Sequence, residues 1–161
     1  MESVSSSQLK QTLFLFFAIY LIFSSVQATD VRYCDKKGNY AVKVKRVDIS
    51  PDPVLSGNPA TFNISASTGQ QIAGGKVVIA VSFFSVPVHA ETRDLCEEMS
   101  CPIAPGSFVL SHTQTLPGFA PPSFLQGSYT LKMTMIDENN KQLSCISFSF
   151  KIRLVTLVSD N

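Results

Sequence analysis

Cysteine is the residue type in this 161-residue chain whose spacing most clearly predicts chemistry. The chain has four cysteines, which permit three pairings. Cys96 and Cys101 are close enough to close a short disulfide loop, and that pairing would leave Cys34 for Cys145. In an oxidising compartment we expect all four to be disulfide-bonded.

Other residues that could do chemistry do not form a recognisable set. His89 and His112 lie in unrelated sequence contexts, and the chain has no GxSxG, HExxH or phosphate-binding glycine loop. We expect the carboxylates of Asp94, Glu97 and Glu98 to form a solvated rim around the cysteine loop. The cysteine spacing is also unlike that of zinc ligands. The sequence therefore predicts no catalysis, no metal site and no cofactor.

The composition predicts one domain with an apolar interior. The charged fraction is only 16%, against about 25% in an average soluble chain, and the hydrophobic fraction is 45%. The net charge of +1 gives no electrostatic reason to expect a nucleic-acid partner. We expect a monomer.

The N-terminal residues predict entry into the secretory pathway. Lys10 precedes an apolar run from Leu13 to Phe23, and small residues ending at Ala28 suit a cleavage site. The run is shorter than the about 20 residues that a membrane-spanning helix needs. We predict a cleaved signal peptide at 1–28, a single domain at 29–153 and a tail at 154–161. The expected location is extracellular, or the lumen of a vacuole or lysosome.

Strand-like patterns follow one another from Thr29 onward. The clearest alternation puts Tyr129, Leu131 and Met133 on one face, and a similar return strand carries Phe148 and Phe150. The apolar run from Val77 to Val88 predicts one strand, buried on both faces, that leaves its sheet at Pro87. Strands at intervals of about ten residues predict an all-β, immunoglobulin-like β-sandwich of about seven strands.

Large apolar side chains on the inward faces could surround a ligand or could simply fill the core. They are Phe62, Phe83, Phe84, Met133, Met135, Phe148 and Phe150. A proline-rich loop adds Phe119 and Phe124. An empty cavity of about 300 Å³ would destabilise the fold by about 7 kcal/mol. A cavity is therefore expected only if disulfides brace the shell and a ligand usually fills it.

Asn63 lies in an Asn-Ile-Ser sequon, on the predicted wet face of a strand. Glycosylation of Asn63 is therefore a further prediction.

Several motifs together resemble the ML lipid-recognition domain family, which includes the soluble Niemann-Pick type C sterol carrier and the group 2 mite allergens. The resemblance covers residues 33–153. It rests on Cys34, on VDISPDP at 47–53, on SVPV at 85–88 leading to Cys96, on Cys101-Pro102-Ile103, on Leu116-Pro117, and on Cys145.

The resemblance implies disulfides Cys34–Cys145 and Cys96–Cys101, a lipid held in a cavity between two splayed sheets, and no catalysis. It places Val86, Val88, Phe119 and Phe124 near the mouth of that cavity. The complete set of lipid-binding residues that we predict is Phe62, Ile64, Val81, Phe83, Val86, Val88, Phe119, Phe124, Tyr129, Leu131, Met133, Phe148 and Phe150.

Two departures from the sterol-carrier branch of the family leave the choice of ligand open. The sterol-carrier branch has a further disulfide in the segment that is Asp52 to Ser56 here, and an aromatic residue where this chain has Val88. A sterol, a phospholipid such as phosphatidylglycerol or phosphatidylinositol, and a fatty acid all remain candidates. The prediction is a lipid carrier that contacts a membrane or membrane protein transiently. The alternative is a lipid-dependent module that presents its surface to a membrane-protein partner.

Overall fold

In a computed structural model, which describes residues 29–36, 38–115 and 127–154, the chain folds into two β-sheets. The elements are β1 (Val31–Tyr33), β2 (Val42–Ser50), β3 (Val54–Leu55), β4 (Pro59–Thr68), β5 (Gly75–Phe83), β6 (Val86–Asp94), α1 (Leu95–Glu98), β7 (Gly106–Thr115), β8 (Gly127–Asp137) and β9 (Gln142–Arg153).

The two sheets differ in size. The larger has the order β1-β9-β8-β5-β6, with β3 also pairing with β9, and the smaller has the order β2-β4-β7. Seven of the strands have nine residues or more, whereas β1 has three and β3 has two. The predicted all-β sandwich of about seven strands is confirmed.

Alternating side chains explain why the sheets pack face to face. In β8, Tyr129, Leu131 and Met133 are buried, while Thr130 and Lys132 between them are exposed. The same period of two places apolar side chains of β4, β5 and β9 between the sheets, because successive residues of a strand point to opposite faces. The hydrophobic core is therefore the layer between the two sheets.

The prediction of a single strand from Val77 to Val88 is wrong. β5 ends at Phe83 and β6 begins at Val86, so the run is a hairpin with Phe84 and Ser85 in the turn, at φ of 46° and 67°. Two-residue turns with positive φ usually use Asn or Gly, and neither is present to signal a turn. β5 is also not buried on both faces, since burial alternates along it. β6 is an edge strand, which is where a proline such as Pro87 is tolerated.

The short helix α1 follows β6 directly. The Asp94 side chain caps it by accepting a hydrogen bond from the Cys96 amide at 2.7 Å. Within the described residues, no helix has the length and apolarity that crossing a membrane requires.

Both predicted disulfides are present. Cys34–Cys145 joins the residue after β1 to β9, 111 positions apart in the sequence. Cys96–Cys101 joins two residues five positions apart and closes a short loop that begins in α1. Asn63 is half-buried on β4, opposite Asp48 and Ser111, on the face away from the core. Its glycosylation stays a prediction.

The two disulfides should differ in their contribution to stability. A cross-link lowers the entropy of the unfolded chain more when the loop that it closes is longer. We expect the double variant C34S/C145S to lose about 4–5 kcal/mol in the free energy of unfolding, and C96S/C101S about 2 kcal/mol. Urea unfolding of the oxidised proteins measures both values. Equal losses in the two variants would contradict the loop-entropy explanation.

Candidate functional site

Six aromatic rings form a continuous row from the surface to the middle of the core. Their order is Phe84, Phe83, Tyr129, Phe150, Phe62 and Phe148, and we call them the aromatic row. At its outer end the centroids of Phe84 and Phe83 lie 4.6 Å apart, and those of Phe83 and Tyr129 4.8 Å apart. The outer half therefore connects the β5–β6 turn to the start of β8.

The inner half of the aromatic row crosses from one sheet to the other. The Tyr129 and Phe150 rings stack with centroids 5.7 Å apart, on neighbouring strands of the larger sheet. Phe62 of the smaller sheet meets Phe150 edge-on at 5.5 Å and Phe148 at 6.3 Å. Such tilted contacts are favourable arrangements for aromatic pairs. The row is thus part of the apolar core that joins the two layers.

Burial increases steadily along the row. The exposed fraction is 83% for Phe84, falls to 6% for Tyr129 and reaches 2% for Phe62. Burial also raises the pKa of the Tyr129 phenol, so this hydroxyl stays neutral at ordinary pH. The row is therefore an uncharged path from solvent to core.

Gly127 shapes the outer part of this path. A Cβ atom at Gly127 would lie 2.7 Å from Cε2 of Phe83, closer than real side chains approach one another. The absence of a side chain at the start of β8 lets the Phe83 ring lie against the strand. The sequence alone does not indicate this role, because a glycine before a strand is typical of a turn.

The predicted lipid-binding residues separate into three groups. Those between the sheets and buried or half-buried are Phe62, Ile64, Val81, Phe83, Tyr129, Leu131, Met133, Phe148 and Phe150. Val86 and Val88 on β6 are exposed by 61% and 51%. Phe119 and Phe124 lie outside the described residues. Phe84 was expected to face inward, and this is wrong because it lies in the turn.

Three surface depressions are lined by described residues, and two of them lie away from the aromatic row. These two, of about 230 and 390 Å³, lie at the opposite end of the sandwich, around Gly74 and the β8–β9 turn. The third, of about 460 Å³, lies on the outer face of the larger sheet near Arg32 and Thr130, and Phe148 is among the residues that line it. The walls of the first two are largely polar, which does not suit a lipid chain, whereas the third has polar and apolar walls in similar amounts.

A cluster of ionisable side chains lies where the edge strands β6 and β7 face each other. His112 of β7 is buried, with Nε2 3.1 Å from Glu91 Oε1 and Nδ1 3.2 Å from Glu98 Oε2. Arg93 Nε lies 3.1 Å from Glu98 Oε1, and this hydrogen bond raises the pKa of the Arg93 guanidinium. His89 Nε2 lies 3.6 Å from Glu91 Oε1. We call these five residues the polar seam.

The polar seam corrects two expectations. Glu98 is not part of a solvated rim, since only 8% of its side chain is exposed. The two histidines are not unrelated, since both approach Glu91. These contacts come from the hairpin and from the packing of two different sheets, neither of which a sequence pattern shows. Among the described residues, no three His, Cys, Asp and Glu side chains are arranged to hold a metal ion.

Comparisons with known proteins identify similar chains. A family model described as ML domain matches residues 28–152. The MD-2-related lipid-recognition protein ROSY1 of Arabidopsis thaliana is 33% identical over 147 residues, covering 87% of this chain and 88% of that protein. A phosphatidylglycerol/phosphatidylinositol transfer protein of Aspergillus oryzae is 28% identical over 122 residues, covering 72% of this chain and 67% of that protein.

A solved structure has the same fold as this chain. A Niemann-Pick type C2 protein from the Japanese carpenter ant superposes with a TM-score of 0.61 at 15% identity, covering 77% of this chain and 99% of that one. At this level of identity the likeness establishes the architecture alone.

An outer and an inner ring of the aromatic row should respond differently to truncation. Phe62→Ala removes a ring that contacts two others in the core, so we expect a loss of about 3–5 kcal/mol in the free energy of unfolding. Phe84→Ala removes an exposed ring, and the expected change is within about 0.5 kcal/mol. Urea unfolding measures both. A large loss for Phe84→Ala would mean that this ring supports the fold.

Proposed function

The chain belongs to the ML domain family, and from this premise we propose that it binds a membrane phospholipid non-covalently and transfers it between membranes. The named relatives are lipid-recognition and lipid-transfer proteins rather than enzymes, so the prediction of no catalysis is confirmed. We propose a phospholipid with a phosphatidylglycerol- or phosphatidylinositol-like headgroup. The support is that a relative named as a phosphatidylglycerol/phosphatidylinositol transfer protein matches 72% of this chain. Sterol transport is the alternative function.

The aromatic row is the observation that carries the proposal. An acyl chain needs a path that is apolar and free of charge, since burying an unpaired charge is costly. The row offers such a path from exposed Phe84 to Phe62 between the sheets. We propose that the acyl chains lie along it, in contact with the predicted lipid-binding residues, including Phe119 and Phe124.

A ligand between the sheets must displace side chains that are well packed. The core side chains are at most 7% exposed, and the highest values, at Val81 and Tyr129, lie toward the outer end of the row. Met133 and Met135 line the same layer, and methionine adapts to irregular space because its side chain is flexible and polarisable. We propose that lipid enters at this end and that the methionines repack around it.

Phe83→Asp should block lipid uptake without unfolding the protein. Phe83 is half-buried, so the substituted side chain can reach water in the free protein, but it would place a charge beside the entering acyl chain. We expect uptake of phosphatidylglycerol from vesicles to fall by about tenfold or more. Native mass spectrometry of the protein measures uptake. Mass spectrometry of the extracted lipid separates phospholipid from sterol.

Ser82→Asp is the matched control for Phe83→Asp, because it adds the same charge one position away, where the side chain points to the other face of β5. It should take up lipid as the unchanged protein does. A folded Phe83→Asp protein with full uptake would contradict the proposed path.

We also propose that the β5–β6 turn contacts the membrane during transfer. Phe84, Val86 and Val88 are large exposed apolar residues, and residues 80–88 carry no charged side chain. An apolar, uncharged tip can enter the bilayer interface without desolvating a charge. Lipid would then pass between the bilayer and the outer end of the aromatic row over a short distance.

Substitution of the tip tests this contact. We expect F84S/V86S to bind phosphatidylglycerol vesicles about tenfold more weakly, since burying one large apolar side chain contributes more than 1.4 kcal/mol. Vesicle co-sedimentation measures binding. Val109→Ser is the control, because Val109 is 53% exposed but lies on the smaller sheet. Equal weakening in both variants, or none in F84S/V86S, would contradict the assignment of the tip.

The compartment that fits this function is an oxidising one. Two disulfides and a predicted signal peptide at 1–28 support delivery through the secretory pathway. We propose that the protein acts outside the cell or in a vacuolar or lysosomal lumen, as a monomer.

A further inference from the structure

Basic side chains lie on the outer face of the larger sheet, which points away from the core. Lys132 of β8 alternates with buried residues of that strand, so its side chain points outward. Lys151 and Arg153 of β9 point outward by the same alternation. Arg32 of β1 pairs with Ser147, which pairs with Lys132, so Arg32 lies on the same side of the sheet. We call Arg32, Lys132, Lys151 and Arg153 the cationic face.

Few carboxylates offset the charge of the cationic face. β9 contains no acidic residue, and the one in β8 is Asp137, at its last position next to the β8–β9 turn. Asp30 Oδ2 lies 3.5 Å from Arg32 Nη2, but the two side chains are 81% and 83% exposed, so water screens the pair. The cationic face is therefore locally positive, although the formal net charge of the whole chain is only +1.

The basic residues of the two sheets differ in their contacts. On β2 of the smaller sheet each has a polar partner within reach: Lys43 with Asn39, Lys45 with Ser107, and Arg46 with Asp48. On the larger sheet, the side chains of Lys132, Lys151 and Arg153 form no hydrogen bond or ion pair with any described residue. These three charges can therefore bind an external anion without first losing an internal contact.

The spacing of the cationic face suits an extended anionic surface better than a single phosphate group. Arg32 and Lys132 lie on strands separated by β9, about 10 Å apart at the usual strand spacing. Lys151 lies four positions along β9 from Ser147, or about 13 Å, and Arg153 lies two positions farther. One phosphate group cannot contact all four cations, whereas the headgroups of a bilayer form an array that can.

Hydroxyl side chains lie between the cations. Thr130, Ser147 and Ser149 line the depression of about 460 Å³ in this face, together with Arg32. A hydroxyl donates one hydrogen bond and accepts others, so it can bind both a phosphate oxygen and a glycerol hydroxyl. The surface between the cations therefore suits the polar groups of a glycerophospholipid.

The cationic face extends to the end of the sheet at which the β5–β6 turn lies. Phe83, the last residue of β5, pairs with Tyr129, and Tyr129 pairs with Phe150. Lys151 and Arg153 follow Phe150 along β9, so they lie at the level of the turn or beyond it. An apolar tip in the bilayer interface and cations on the headgroups can therefore contact the same membrane.

We propose that the cationic face binds the phosphate groups of an anionic bilayer and orients the protein with the β5–β6 turn against the membrane. Each Lys or Arg near such a surface adds an attraction that salt weakens. This role rests on the proposed transfer of lipid between membranes, for which it supplies the bound orientation. Asn63, the predicted glycosylation site, is on the smaller sheet, so a glycan there would leave the cationic face uncovered.

Co-sedimentation with vesicles tests the cationic face. We expect K151A/R153A to bind vesicles of equal parts phosphatidylglycerol and phosphatidylcholine about thirtyfold more weakly, because two membrane-facing charges are lost. Its binding to pure phosphatidylcholine vesicles should not change. The matched control is K43A/K45A, which removes two exposed charges from the smaller sheet and should bind as the unchanged protein does. Equal weakening in both variants, or none in K151A/R153A, would overturn the proposal.

A second variant keeps the test decisive if K151A/R153A does not fold. Lys132→Ala removes one exposed charge from the middle of the cationic face, and we expect about fivefold weaker binding to the mixed vesicles. Unchanged binding by Lys132→Ala would contradict a face that acts as a whole. Displacement of the unchanged protein by an excess of glycerol 3-phosphate would also overturn the proposal, because it would indicate a site for one phosphate group.

Salt and lipid content separate this role from the proposed lipid transfer. Raising NaCl from about 0.1 M to about 1 M shortens the screening length from about 10 Å to about 3 Å, and should abolish the preference for phosphatidylglycerol vesicles. F84S/V86S should keep that preference while binding both kinds of vesicle more weakly. A preference that persists at high salt would overturn the cationic face. Absence of bound lipid in native mass spectrometry, with the preference intact, would instead contradict lipid transfer alone.

Discussion

The contact between two unequal sheets through an uncharged aromatic layer is the constraint on which the rest of the structure depends. Phe62 is the ring that the three-stranded sheet contributes to the aromatic row, against several from the six-stranded sheet. Because the layer is held by non-directional apolar burial, it can rearrange around a guest more readily than a hydrogen-bonded interface could. The polar bonds that do join the sheets lie at their edges, where they leave the middle of the sandwich free of buried charge.

Sequence patterns predicted the parts of the fold that local physics determines. Alternation in β8 and β9 predicted their buried faces, and the short spacing of Cys96 and Cys101 predicted their pairing. The β5–β6 hairpin was missed because Phe84 and Ser85 form the turn without the residue types that usually signal positive φ. The alternative of a continuous buried strand was consistent with the same apolar run.

The polar seam shows why part of the site could not be read from sequence. Glu98 and His112 are 14 positions apart, on a helix and a strand that meet only because β6 and β7 lie at facing edges of two sheets. Nothing about the residue types predicts which carboxylate near the cysteine loop turns inward. The aromatic row was easier to anticipate, since its inner members follow the strand period, but its outer end depends on the unexpected turn and on Gly127.

The turn itself has an evolutionary consequence. Two non-glycine residues with positive φ are less stable there than Asn-Gly would be, by on the order of 1 kcal/mol each. Selection for thermal resistance alone would therefore replace Phe84 and Ser85 with residues that suit the turn. A thermostable homologue that kept an aromatic side chain at this corner would indicate that display of the ring, and not hairpin closure, is what selection preserves.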